Sequence, residues 1–192
     1  MSKGLLVVYS GASGVGKGTI MKELLKADGN IRLSISATTR KARPGETHGV
    51  EYFFISREEF EEMIKGDGFL EYAKYCDNYY GTPQKAVYDM LDSGIDVFLE
   101  IDVQGGMQIM EKCPECISIF IMPPSVEELS KRLHGRGTEP KEVIAKRLDA
   151  AQSELPLAKA YDYTVVNDDV IKARDEILQI LKREKEKREH KI

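Results

Sequence analysis

No apolar run in the 192-residue chain is long enough to cross a bilayer, and the run nearest the N-terminus, 4-GLLVVYS-10, is too short for a secretory signal. Cysteine is scarce and odd in number: Cys76, Cys113 and Cys116 cannot close a disulfide framework, which fits a reducing compartment. The C-x-x-C spacing of 113-CPEC-116 lacks the second pair that a tetrahedral zinc site needs. It also precedes the apolar run ISIFIM instead of opening a helix after a strand, so it reads as a turn with two incidental thiols. An excess of basic charge is missing too. Lys and Arg total 28 against 32 Asp and Glu, a formal charge of -4, which argues against DNA or RNA as a partner. The closing stretch 182-KREKEKREH-190 mixes both signs, as a solvated helix face does. No internal repeat is present. The expectation is a soluble, cytoplasmic protein without nucleic-acid or membrane partners.

What is present is an alternation. GLLVVYS, IDVFLEID (95–102), ISIFIMPP (117–124) and DYTVVND (162–168) read as buried strands, separated by segments of helical periodicity. Strands alternating with helices imply α/β architecture with a parallel sheet covered by helices, in one domain elaborated by insertions. Ser56-x-x-Glu59 and Ser125-x-x-Glu128 have capping-box spacing, and Pro140 suits the first turn of a helix through EVIAKRLDAAQ.

Two stretches interrupt this pattern. Residues 35–84 gather many aromatic side chains and short strand-like runs around one short helix, as an inserted α+β subdomain would. The segment 132-RLHGRGTEP-140 places two glycines and several basic groups between helices, as a mobile lid would.

The first strand runs into 11-GASGVGKGT-19. Glycines between a strand and a helix let backbone N–H groups converge on an anion at the helix N-terminus, and Lys17 is placed to reach the outer phosphates. The cradle comprises Gly11, Ala12, Ser13, Gly14, Val15, Gly16, Lys17, Gly18 and Thr19. Gly18 stands where a Ser or Thr ordinarily holds Mg²⁺. A direct side-chain ligand there is impossible, so the metal is expected to be held mainly by phosphates and water, with Thr19 the nearest hydroxyl. The GKGT ending resembles adenylate kinases and other nucleoside-monophosphate kinases.

Downstream, Arg40 and Arg43, near Ser36 and followed by Tyr52, form a forked donor set suited to a phosphate monoester. Glu71, Tyr80 and Thr82 follow in 69-FLEYAKYCDNYYGTP-83. Glu100 and Asp102, two apart at the carboxyl end of a strand, would face the ligand crevice together, although Asp102 also suits a cap for the next helix.

Taken with LEIDVQGG, RLHGRGTE, AKRLDAA and DYTVVND, these motifs resemble guanylate kinase in order and spacing over essentially the whole chain. The resemblance implies a three-layer P-loop kinase fold with a central parallel sheet, an inserted monophosphate-binding subdomain and a short lid. It implies a core at 1–34, 85–125 and 146–192, the subdomain at 35–84 and the lid at 126–145. The implied reaction is phosphorylation of GMP by ATP with Mg²⁺. Arg40, Arg43, Tyr52 and Tyr80 would then grip the GMP phosphate, and Ser36, Glu71, Thr82 and Asp102 would read guanine. Arg132, Arg136 and Arg147 would close on ATP, and Asn167 and Asp168 would lie on its adenine side. Lys17, Arg40, Arg136 and Arg147 would neutralise the moving phosphoryl group, and Glu100 would orient metal waters. A kinase for another monophosphate such as AMP and a noncatalytic interaction module of the same fold are the competing readings. Oligomeric state is open.

Overall fold

The computed structural model describes residues 3–135 and 141–190. In chain order the elements begin β1 (Leu6–Gly11), α1 (Lys17–Ala27), β2 (Ile31–Leu33), β3 (Ala37–Thr38), β4 (Phe53–Phe54), α2 (Arg57–Lys65), β5 (Phe69–Tyr75) and β6 (Asn78–Pro83). They continue with α3 (Gln84–Asp92), β7 (Asp96–Glu100), α4 (Val103–Lys112), β8 (Ile117–Met122), α5 (Val126–Gly135), α6 (Lys141–Glu154), a 3₁₀ turn (Leu155–Ala160), β9 (Tyr163–Val166) and α7 (Val170–Glu189).

The apolar runs form one parallel sheet ordered β2-β7-β1-β8-β9. β1 pairs with β7 from Leu6↔Val97 to Tyr9↔Glu100, and with β8 from Val7↔Ile117 to Gly11↔Ile121. Its side chains alternate between two cores. Val7 and Tyr9 enter the layer under α1 and α7 with Ile20, Leu24 and Ile177. Leu6 and Val8 enter the opposite layer with Val87, Leu91, Val103 and Ile109. Both faces are therefore covered, which is why the strand sequences lack polar alternation. Each such aliphatic side chain contributes roughly 1.5–3 kcal/mol by leaving water. The chain steps from β1 to β2 and β7 on one side and to β8 and β9 on the other, so the crevice of the sheet opens at the carboxyl end of β1.

Residues 37–83 contribute a second sheet, β4-β3-β6-β5, closed by α2. Phe60 of α2 is stacked against Phe69 and Tyr79, at centroid distances of 4.2 and 5.1 Å. Those aromatics are the small core. Ser56 starts α2 with a reciprocal capping box to Glu59, and Ser125 Oγ accepts from Glu128 N at 3.1 Å at the start of α5, both as the sequence spacing predicts.

Three observations differ from the sequence reading. β2 is a core strand of only three residues that no apolar run announced. The strand expected over 95–102 stops at Glu100, because Asp102 leaves the strand to cap α4. The charged tail of α7 is also more than a solvated face: Lys185 Nζ stands 2.6 Å from the carboxylate of Asp96, a residue with no solvent exposure whose Oδ1 also accepts from Leu5 N at 3.0 Å. Pro140 lies outside the described residues.

No described helix is long and apolar enough to cross a membrane. Cys76, Cys113 and Cys116 are free, and the described residues hold no group of three or more His, Cys, Asp or Glu arranged for a metal.

Candidate active site

The glycine-rich loop leaves β1 at Gly11 and enters α1 at Lys17. Gly14 and Gly16 have φ of 84° and 97°, in the left-handed region that favours glycine. Space closes both positions as well: a Cβ on Gly14 would lie 2.5 Å from Leu133 Cδ2, and one on Gly16 would lie 2.6 Å from Asn167 Nδ2. Gly16 caps α1 without any side-chain acceptor, so the positive end of the helix is left to whatever anion the loop takes.

Other elements hold the loop in place. Asn167, buried after β9, donates from Nδ2 to Val15 O at 2.8 Å. Ser13 is held twice by α6: its backbone N–H donates to Glu154 Oε2 at 3.2 Å, and its Oγ accepts from Arg147 Nε at 3.1 Å. Lys17 Nζ donates to Gly11 O at 2.6 Å. Tyr9 supports the start of α1 by donating from its hydroxyl to Lys17 O at 3.1 Å. Thr19 and Gly18 are exposed on the first turn.

A cleft of 510 Å³ opens beside this loop. Gly11, Ser13 and Lys17 line one wall, Ser34, Ser36, Glu51 and Tyr52 another, and Glu100, Asp102 and Glu154 complete it. Burial lowers the pKa of Lys17, while the nearby Glu100, Glu154 and Asp102 push it back up. Burial likewise raises Glu100, opposed by the Lys17 charge. A cation ringed by carboxylates in a partly desolvated cleft is suited to a polyanion arriving with its own counter-charge.

Asp102 reaches the cleft by a different route from the one its spacing suggests. It sits at φ -70° and ψ 172° as the N-cap of α4, with its side chain accepting from Gly105 N at 2.8 Å. Strand alternation therefore does not set its direction, yet it and Glu100 line the same cleft. Glu100 also faces Gly18: a Cβ built there would meet only Glu100 Oε1, at 3.8 Å. A carboxylate thus stands beside the position that lacks a hydroxyl, where it would suit the waters of a phosphate-held Mg²⁺.

On the small-sheet side, the Arg40 guanidinium lies over Tyr52, 5.4 Å from the ring centroid, and Tyr52 packs edge-on to Tyr80 at 6.0 Å. Arg43 is exposed on the same loop. Thr82, fully buried, donates from Oγ1 to Glu71 Oε1 at 2.7 Å. A Cβ on Gly105 would lie 3.3 Å from Glu71 Oε2 and 3.5 Å from Asp102 Oδ1, so the two carboxylates converge over that glycine. Burial raises the pKa of Glu71, and Asp102 adds to the shift.

The lid-side residues are less concentrated. Arg132 of α5 is half-buried, bonded through Nη1 to Asn167 O at 3.0 Å and paired with Glu128. Leu129 and Leu133 of the same helix pack against Ala12, with Ile144 and Ala151 of α6. Asp168 is exposed before α7. Arg136 lies outside the described residues.

Two residues of the site were not singled out by the sequence. Glu154 reaches Ser13 from 141 positions away, and no local spacing marks it. Glu46 pairs bidentately with Arg40; its place three residues after Arg43 in 40-RKARPGE-46 was the only available hint.

A sequence model described as guanylate kinase matches residues 3–184. A guanylate kinase of Clostridioides difficile is 55% identical over 187 residues, covering 97% of this chain and 91% of that protein. One from Streptococcus thermophilus is 52% identical over 183 residues, covering 95% and 88%. The crystal structure of guanylate kinase from Anaplasma phagocytophilum superposes with a TM-score of 0.73 at 38% identity, covering 95% of this chain and 87% of that one. A shikimate kinase from Bacteroides thetaiotaomicron, 13% identical with a TM-score of 0.50 over 93% and 98% of the two chains, shares the fold alone.

Proposed function

The chain belongs to the guanylate kinase family, and on that premise we propose that it transfers the γ-phosphoryl group of ATP to GMP, giving ADP and GDP. The observation that carries this reading is the 510 Å³ cleft shared by the glycine-rich loop and the small sheet, with Lys17 on one wall and Ser36 and Tyr52 on another. Phosphoryl transfer asks little covalent work of a protein; it asks for two nucleotides held in line and for charge neutralised between them.

On the donor side, the amides of 11–19 and Lys17 take the outer phosphates of ATP. Arg132, Arg136 and Arg147 add cations, and Asn167 and Asp168 face the adenine end. Mg²⁺, when bound, neutralises phosphate charge, and Glu100 is the residue that would hold its waters. On the acceptor side, Arg40, Arg43, Tyr52 and Tyr80 grip the GMP phosphate. Ser36, Glu71, Thr82 and Asp102 read the base. Thr82 engages one oxygen of Glu71 and Gly105 N engages one oxygen of Asp102, so each carboxylate keeps another for a guanine N–H. Adenine offers no N1–H or 2-amino donor and would leave those oxygens unpaired, which supports strong discrimination.

The working divisions are a core of 1–34, 85–125 and 146–192, a GMP-binding subdomain of 35–84 and a lid of 126–145. The free thiols support a cytoplasmic setting.

The test is a coupled ADP-release assay with ATP, Mg²⁺ and each nucleoside monophosphate in turn. GMP should be the preferred acceptor. Preference for AMP would overturn the guanine-reading assignments, and no turnover with any monophosphate would overturn the kinase reading.

A further inference from the structure

Glu46 lies in the loop between β3 and β4 and is mostly covered, with 18% of its side chain exposed; Arg40 beside it is 15% exposed. The two form a fork-to-fork pair. Arg40 Nη1 donates to Glu46 Oε2 and Nη2 donates to Oε1, both at 2.9 Å. Glu46 Oε2 also accepts the backbone N–H of Arg43 at 2.7 Å, and Arg40 Nη1 donates a second time, to Lys41 O at 2.8 Å.

A guanidinium has five N–H donors in a fixed plane. The Glu46 carboxylate and the Lys41 carbonyl engage three of them, covering the end-on edge and the outer flank of Nη1. The two that remain, Nε–H and the second N–H of Nη2, share the side-on edge. That edge is itself a two-donor fork of the spacing a phosphate or carboxylate accepts bidentately. The Arg40 Cζ also stands over the neighbouring Tyr52 and Phe54 rings, 5.4 and 5.7 Å from their centroids, which narrows the room the group has to move. An arginine on a fourteen-residue loop would otherwise lose rotamer freedom on meeting its anion.

We propose that Glu46 is a positioning residue for the acceptor phosphate: it occupies the end-on fork of Arg40, fixes the loop at Arg43, and so presents the side-on fork of Arg40 to the phosphate of GMP. This deepens the reading above and rests on it, since it takes Arg40 as a phosphate contact. The negative charge of Glu46 costs some attraction for the phosphate. Its contribution is that the arginine is already ordered and its remaining donors are already paired in direction before the ligand arrives.

Binding of GMP and of guanosine, which lacks the phosphate, distinguishes this from a merely structural role. Calorimetric titrations would compare the parent protein, Glu46→Gln, Glu46→Ala and Arg40→Ala. Both Glu46 variants should weaken GMP binding about tenfold or more, the scale of one charge-assisted bidentate contact. They should leave guanosine binding and the KM for ATP unchanged. Equal loss for GMP and guanosine, or a fall in both together with thermal stability, would show that Glu46 only maintains the subdomain and would overturn the proposal. Unchanged GMP binding in the Glu46 variants beside selective loss in Arg40→Ala would overturn the role of Glu46 and leave Arg40 in place. Unchanged GMP binding in Arg40→Ala would remove Arg40 from the phosphate site and the proposal with it.

Discussion

Asn167 crosses Gly16 so closely that its Nδ2, bonded to Val15 O at 2.8 Å, is 2.6 Å from where a Cβ on Gly16 would stand. The loop after β9 and the glycine-rich loop therefore fit only if residue 16 has no side chain. Gly16→Ala should cost about 1–2 kcal/mol for the left-handed backbone alone, before the displacement of Asn167 is counted. Urea unfolding together with turnover should show both falling. Asn167→Ala, which leaves a buried carbonyl unpaired, should cost about 1–3 kcal/mol by the same measurement.

Gly18 is the opposite case. A Cβ there meets only Glu100 Oε1, at ordinary contact distance. Gly18→Ser should fold and turn over normally, with half-saturating Mg²⁺ unchanged or lower. Lys17→Ala should reduce kcat by about a hundredfold or more, the scale for removing a group aimed at transition-state charge. Near-normal turnover of Lys17→Ala would contradict the phosphate cradle. Glu100→Gln should weaken the Mg²⁺ dependence, and an unaltered Mg²⁺ titration would remove Glu100 from the metal's surroundings.

GMP binding should depend on pH through Glu71. Burial raises its pKa above the ordinary value of 4.5. If its ionised form accepts guanine N–H groups, affinity is full above the raised pKa and falls as pH drops through it, at a higher pH than an exposed glutamate would show. Glu71→Gln should weaken binding and remove this component. Titrations of GMP into both proteins from pH 7.5 down to 5 would reveal it, because the phosphate's own ionisation is common to the two. For folding the sign is reversed: the folded state holds the Glu71 proton more tightly than the unfolded chain, so its contribution is present at low pH and is lost as pH rises through the folded pKa.

Lys185 and Asp96 offer a stability test away from the chemistry, at the amino ends of the strands. Lys185→Ala leaves the Asp96 carboxylate buried with only the Leu5 N–H as partner, and should destabilise by about 2–4 kcal/mol in urea. The double variant Asp96→Asn/Lys185→Met should recover much of that loss. The KM values for both substrates should not move in either protein.

The parts of this fold that were legible in the sequence are those written in short-range pattern. β1, β7 and β8 are apolar on both faces, so their runs stand out, and the two serine caps act within one helical turn; β9, read as a buried strand from YTVV, is an edge strand that buries only Val165. β2 was missed because three residues, one of them the exposed Arg32, do not make a pattern. Asp102 was left between a strand end and a helix cap, because two-residue spacing cannot tell a strand from a strand followed by a cap, and it is the cap that forms. Lys17, Arg40 and Glu71 were named from motifs, whereas Glu46, Glu154 and the Lys185–Asp96 pair depend on contacts that form only when the chain folds.

Ser13 donates its amide N–H to Glu154 and accepts at its hydroxyl from Arg147, both on α6. If the donor's phosphates take that amide, as proposed above, the helix that follows the lid must surrender a bond each time ATP enters. Binding and helix position then become two faces of one equilibrium, and thermodynamic reciprocity fixes the exchange: whatever ATP gains when α6 lets go of Ser13, α6 loses in hold when ATP is bound. A spin label on the outer face of α6 would on this account report occupancy of the donor site, and a variant that frees Ser13 from Glu154 would tighten ATP by the same factor that it loosens the helix.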